Sequence, residues 1–171
     1  MNWILSMAIR EIQTGLKNPI LRKKSAEVEE ITPEVKRLIR DMYDTLRLDG
    51  IGLAAPQVGE TLRIILVTIF PQSKKEKTYT MINPVIAYFS DETEIKEEGC
   101  LSLPNFFGNV ERSHEIIVQF RDESFKTQVL RLNGLNARIV QHEADHVDGI
   151  LFADKVIGKS ASTHGEREYT L

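Results

Sequence analysis

The hexapeptide Gln141-His142-Glu143-Ala144-Asp145-His146 constrains the fold of this 171-residue chain more than any other stretch. Two histidines four residues apart stand one turn above the other on an α-helix, on the same face. Held that way they can grip one metal ion, and Glu143 can reach a water on it. This is the HExxH arrangement of hydrolytic metal sites. It supplies two protein ligands, whereas a catalytic site needs a third and an open position. The fold must therefore bring another donor to this helix from elsewhere in the chain.

The length fits one domain that buries roughly 70% of its unfolded surface. Residues 1–171 are read as a single catalytic domain, with 1–6 as an extension (Met7 being the alternative initiator) and about 154–171 as a flexible tail. Apolar and charged fractions of 42% and 27% are ordinary for a soluble protein. The net charge of −3 comes with no Lys/Arg block, which argues against a nucleic-acid footprint. The single cysteine, Cys100, excludes an intramolecular disulfide framework and fits a reducing compartment. Met1–Ile9 is apolar but has no basic region before it, and Arg10-Glu11 soon follows. Neither a signal peptide nor a membrane span is expected, and the location expected is the cytoplasm.

Thr32-Pro33-Glu34 is a helix start, with Thr as N-cap and Pro at the first position. Val35, Leu38, Ile39, Met42 and Leu46 then form an apolar helix face that Asp49-Gly50 ends. Leu62–Phe70 is β-branched and reads as a strand stopped by Pro71. Thr78–Ile82 and Val85–Phe89 read as two strands separated by Asn83-Pro84. Glu115–Phe120 and Lys126–Leu132 read as a further pair around Asp122-Glu123-Ser124. Asn133-Gly134 opens the histidine helix, whose Leu135, Ile139 and Val147 form a water-poor wall, and Gly149 stops it. Gly158–Gly165 reads as flexible. Strands precede the metal helix without regular alternation, so the class is α+β.

Two further segments carry chemistry. Cys100 lies in Glu97-Glu98-Gly99-Cys100-Leu101-Ser102-Leu103-Pro104, between a Gly and a Pro that make the local backbone special. A lone cysteine is commonly a small buried apolar residue, but here it is also the candidate third ligand. Gly50-Ile51-Gly52-Leu53-Ala54-Ala55-Pro56-Gln57 has the spacing of a dinucleotide fingerprint. That reading fails, because these glycines follow a helix and run into Pro56. The alternatives are a tight helix-to-strand connection or a backbone that approaches a ligand closely, with Gln57 supplying an amide donor.

In this order, Gly50–Gln57, Glu98–Ser102 and Gln141–His146 resemble the three motifs of the peptide deformylases, over about Ile9 to Phe152. These enzymes remove the N-formyl group from the initiator methionine of nascent bacterial or organellar proteins. The resemblance implies an α+β fold with antiparallel strands packed around a central HExxH helix and an N-terminal helix. It implies Cys100, His142 and His146 as metal ligands and Glu143 as general base and later proton donor. Gln57 and the backbone N–H of Leu101 become oxyanion donors. Gly50, Ile51, Gly52, Glu98, Leu135 and Ile139 become the substrate-contacting residues. The implied metal is Fe²⁺, with Zn²⁺, Ni²⁺ or Co²⁺ as substitutes in purified protein. The implied partners are formyl-Met nascent polypeptides, with the ribosome a weaker expectation, since Asp154–Leu171 lacks a basic helical pattern.

Three smaller expectations follow. Phe106 and Phe107 either widen the methionine pocket or fill core. Arg138, one turn before His142, is read as exposed or snorkelling. Two competing functions remain, an HExxH metallopeptidase with a downstream ligand such as His164, and a catalytically silent deformylase-like binding module.

Overall fold

The computed structural model describes residues 8–47 and 50–158. The expectations for Met1–Ser6, for Met7 and for most of the tail fall outside them. The described chain is α+β with antiparallel sheets. A short helix α1 (Pro19–Arg22) precedes α2 (Pro33–Leu46), which is followed by β1 (Gly52–Ala54) and a 3₁₀ turn at Ala55–Val58. Strands β2 (Ile64–Ile69), β3 (Lys77–Phe89), β4 (Thr93–Cys100), β5 (Leu103–Ser113), β6 (Glu115–Arg121) and β7 (Thr127–Asn133) lead to α3 (Gly134–Val147). A second 3₁₀ turn at Phe152–Lys155 follows.

Five strands form one antiparallel sheet in the order β1-β2-β3-β6-β7, and β4 pairs with β5 in a separate hairpin. The sheet is covered on both faces. Leu53, Ile64, Leu66 and Ile82 pack with Val35, Leu38, Ile39, Met42 and Leu46 of α2. Ile65, Val67, Ile69, Met81, Ile116 and Val118 face the other way and pack with Ala137, Ile139, Val140 and Val147 of α3. Alternate residues of β2 thus enter opposite cores, which is why Ile64–Val67 is an unbroken apolar run. The expected helix start holds, since the Thr32 side chain accepts a hydrogen bond from the Val35 N–H at 3.2 Å. Gly149, at φ +75°, ends the turn after α3.

The structure corrects the reading of Thr78–Ile82 and Val85–Phe89 as two strands. They form one strand, β3, with a register break against β6 between Ile82 and Val85. Asn83 adopts φ +50°. Its side-chain amide exchanges two hydrogen bonds of 2.8 Å with the backbone of Val28, so the kink is a bulge pinned from outside the sheet. The β4–β5 hairpin had no strand signal, because Glu94, Lys96, Glu97 and Glu98 break the apolar alternation.

The hairpin lies against the side of α3 away from the sheet. Gln141 exchanges hydrogen bonds with the Ser113 backbone at 2.9 and 3.2 Å. Leu21, Cys100, Leu103, Val110, Leu151 and Phe152 form a third cluster beneath the hairpin tip. No helix among the described residues is long and apolar enough to cross a membrane.

Candidate metal centre and active site

Helix α3 brings His142 and His146 to one face, with ring centroids 5.1 Å apart. Cys100 arrives from the last position of β4, just before the two-residue turn Leu101-Ser102 that joins it to Leu103. The Cys100 Sγ lies 3.3 Å from His146 Nε2. One donor atom from each of Cys100, His142 and His146 lies within 4.8 Å of the others, and all three residues are buried.

The donor set fits a divalent metal. His142 Nδ1 is 2.9 Å from Glu98 Oε2, so its N–H points to the carboxylate and Nε2 keeps its lone pair. That Nε2 is buried and has no hydrogen-bond partner among the described residues. Burial, then the negative charge of Glu143, pushes the Cys100 thiol up to about 12 without a cation. Burial, then the neighbouring His142 and Arg112, pulls His146 well below the usual histidine range. A neutral imidazole is the form that binds metal. Soft sulfur with two imidazoles suits Fe²⁺, Zn²⁺ or Co²⁺.

Glu143 is fully buried, and neither carboxyl oxygen has a hydrogen-bond partner among the described residues. Burial, then the charge of Glu98, raises its carboxyl well above the usual range. A carboxyl so placed holds and releases protons near neutral pH more readily than an exposed one. Its space comes from Gly52, where a Cβ would stand 2.8 Å from Glu143 Cδ and closer still to Oε1.

Gln57 is fully buried. Its Oε1 accepts the Ala54 N–H at 2.8 Å, which turns Nε2 toward Cys100 Sγ at 3.4 Å and Ser102 Oγ at 3.3 Å. The amide donor therefore sits at the Cys100 sulfur. Leu101 is in the adjacent hairpin turn.

Glu98 is corrected. Instead of an open substrate contact it is 1% exposed. It accepts from Arg112 at 2.9 Å on both oxygens, from Arg138 at 2.7 Å and from His142. Burial alone would raise this carboxyl, but the hydrogen bonds from His142 and Arg112 outweigh it and hold it well below the usual range. Arg138 is also corrected. It is 3% exposed, because three oxygen acceptors inside the molecule replace water around its guanidinium.

Ile139 is fully buried in the sheet core and offers no surface to a substrate, because its position on α3 faces β2 and β6. Leu135 is partly exposed at the edge of that core, as is Ile51. Gly50 is partly exposed before β1, and Gly52 pairs with Val67. Phe106 takes the core role, with its ring 5.5 Å from Phe152.

Sequence reasoning missed Arg112, Asp145, Ser102 and Phe152. Arg112 reaches Asp145 at 2.5 Å as well as Glu98, and Phe152 stacks on His142 at 5.8 Å. Asp145 carried a signal, since it lies inside the histidine motif.

Comparisons with known proteins give the family. The family model for polypeptide deformylase matches residues 9–162. The chain is 43% identical to a peptide deformylase of Dictyoglomus thermophilum, over 91% of this chain and 97% of that protein. It is 38% identical to one of Thermosynechococcus vestitus, over 90% and 88%. The crystal structure of peptide deformylase from Thermotoga maritima superposes with a TM-score of 0.81 at 35% identity, covering 88% of this chain and 99% of that one. A peptide deformylase from Synechococcus elongatus in complex with actinonin gives 0.81 at 36%, covering 91% and 82%. The motifs, the cysteine and two histidines they bring together, and these likenesses over nearly the whole described chain have one conclusion: the chain belongs to the polypeptide deformylase family.

Proposed function

We propose that this deformylase removes the formyl group of N-formylmethionine at the start of new polypeptides, with Cys100, His142 and His146 holding its metal and Glu143 moving the protons. The observation that carries this assignment is the convergence of the three donors beside the unpartnered Glu143 carboxyl. A metal held by Cys100, His142 and His146, proposed as Fe²⁺, would supply Lewis acidity, which lowers the pKa of a bound water toward about 7.

The residues do the rest. Glu143 takes one proton from the attacking water as the new C–O bond forms at the formyl carbon. Negative charge then grows on the formyl oxygen, where the Gln57 amide and the Leu101 N–H are the proposed donors, each contributing roughly 3 kcal/mol. Glu143 returns its proton to the methionine nitrogen as the C–N bond breaks, and the formic acid released passes its remaining proton to the new amine, leaving formate and an ammonium N-terminus. Gly50, Ile51 and Leu135, all partly exposed, are the proposed substrate contacts. A bound Met-Ala-Ser peptide is described for a peptide deformylase of Acinetobacter baumannii, 33% identical with a TM-score of 0.80, which supports a linear methionyl peptide as the ligand class here.

The test is formate release from a short formyl-Met peptide by anaerobic Fe²⁺ protein, against an acetyl-Met control and a Glu143→Ala variant. Release from the formyl peptide alone, lost in the variant, is expected. Unchanged release by the variant would remove Glu143 from the mechanism, and cleavage at internal peptide bonds would favour a metallopeptidase.

A further inference from the structure

The metal ligands come from two bodies that share no strand ladder, since Cys100 ends β4 of the hairpin and both histidines sit on α3. Something must hold these bodies in register to within tenths of an ångström for one ion to bridge them. We propose that Arg138 is a positioning residue that locks the hairpin to α3 and thereby sets the geometry of the Cys100–His142–His146 site. This inference rests on the ligand assignment above.

Carried by α3, its guanidinium touches both strands of the hairpin. Nη1 donates to Glu98 Oε1 of β4 at 2.7 Å and to the Val110 carbonyl of β5 at 3.0 Å. Nη2 donates to the Glu94 carbonyl of β4 at 2.6 Å. Arg138 stands one helical turn before His142, and both converge on Glu98. Glu98 is therefore fixed from α3 at two points, and it fixes the ring orientation of a ligand in turn.

Two observations separate this role from simple stabilisation. The Nε of Arg138 is buried without a partner, so the site tolerates an unmade hydrogen bond to keep a guanidinium where an apolar side chain would pack without that defect. Glu98 also retains Arg112 on both oxygens, so losing Arg138 does not strand a buried charge. A lysine cannot replace the fork, because one ammonium cannot span carboxylate and two divergent carbonyls.

The experiment uses the full chain loaded with Co²⁺ under nitrogen, as wild type, Arg138→Met, Arg138→Lys and the exposed control Arg40→Met. The readouts are the thiolate-to-cobalt charge-transfer absorption and the Co²⁺ affinity by competition with a chelator. Thermal stability of each metal-free protein is measured alongside. Wild type and Arg40→Met should share one spectrum. Both Arg138 variants should show a shifted or weakened charge-transfer band and a Co²⁺ affinity about 10–100-fold lower, with Lys failing to restore it. An unchanged spectrum and affinity in either folded variant, with only a lower melting temperature, would overturn the proposal. If Arg138→Met does not fold, Arg138→Lys decides the matter. Absence of a thiolate band in wild type would instead overturn the ligand assignment.

Discussion

Gly52 and Glu143 occupy complementary space: a Cβ on Gly52 would meet the Glu143 carboxyl, standing 2.8 Å from its Cδ. Gly52 lies in an ordinary antiparallel pairing with Val67, so glycine is required here for room. Gly52→Ala should displace the carboxyl and lower kcat by about 100-fold, the size of effect that misplacing a reacting group by an ångström produces. Metal content should stay near one per chain. Wild-type kcat in a folded Gly52→Ala protein would contradict the contact.

Gln57 joins two tasks, accepting from the Ala54 N–H through Oε1 and presenting Nε2 at the Cys100 sulfur. Gln57→Leu removes both. We expect kcat to fall about 10²–10³-fold with a smaller change in KM, as for loss of an oxyanion donor. The stranded buried N–H should also cost about 1–3 kcal/mol in stability. Steady-state kinetics and urea denaturation measure the two effects separately.

Asp154 ties the last described turn to α1 through a two-pronged pair with Arg22, at 2.5 and 3.1 Å. The hydrogen bond from Arg22 is the main reason that its carboxyl lies below the usual aspartate range. The stabilisation is therefore complete above the unfolded value and disappears as the pH falls through the lower folded one. Asp154→Asn should lower stability by no more than ~1 kcal/mol at pH 7, since both side chains are about one-third exposed. The gap to wild type should close as the pH falls below the usual aspartate range. Melting curves across that range check it, and a constant gap would show that the pair contributes through shape alone.

Fe²⁺ beside a thiolate, with a free coordination position, is open to oxidation at both metal and sulfur. Iron-loaded protein should lose activity in air and keep it under nitrogen, while Ni²⁺ or Co²⁺ protein keeps activity in both. Equal half-lives for the iron form in air and nitrogen would contradict the metal assignment.

Much of this site was legible because its signals are local. The histidine pair needs only helical periodicity, and Cys100 and Gln57 sit in short motifs with Gly and Pro around them. The residues that organise the ligands were hidden for the opposite reason. Arg112 and Arg138 are cations in polar sequence surroundings, and nothing local distinguishes a buried guanidinium from a solvated one. Their burial depends on Glu98, 14 and 40 positions away. Glu98 was noticed through its motif, yet its partners, and hence its role, exist only in three dimensions. The same limit applies to β4 and β5, whose polar residues hydrogen-bond to α3 and leave no apolar period to read.

The hairpin has a topological consequence. Strands β3 and β6 are antiparallel neighbours, and such a pair can be closed by a connection of two to five residues. Here the whole β4–β5 arm leaves and re-enters between Phe89 and Glu115, with its base tied by the bond from the Ser90 N–H to the Glu115 carbonyl at 2.9 Å. The Cys100 sulfur, proposed above as a ligand, is thus delivered by an excursion from a joint that the sheet closes on its own. None of the pairings in the five-stranded sheet runs through this arm.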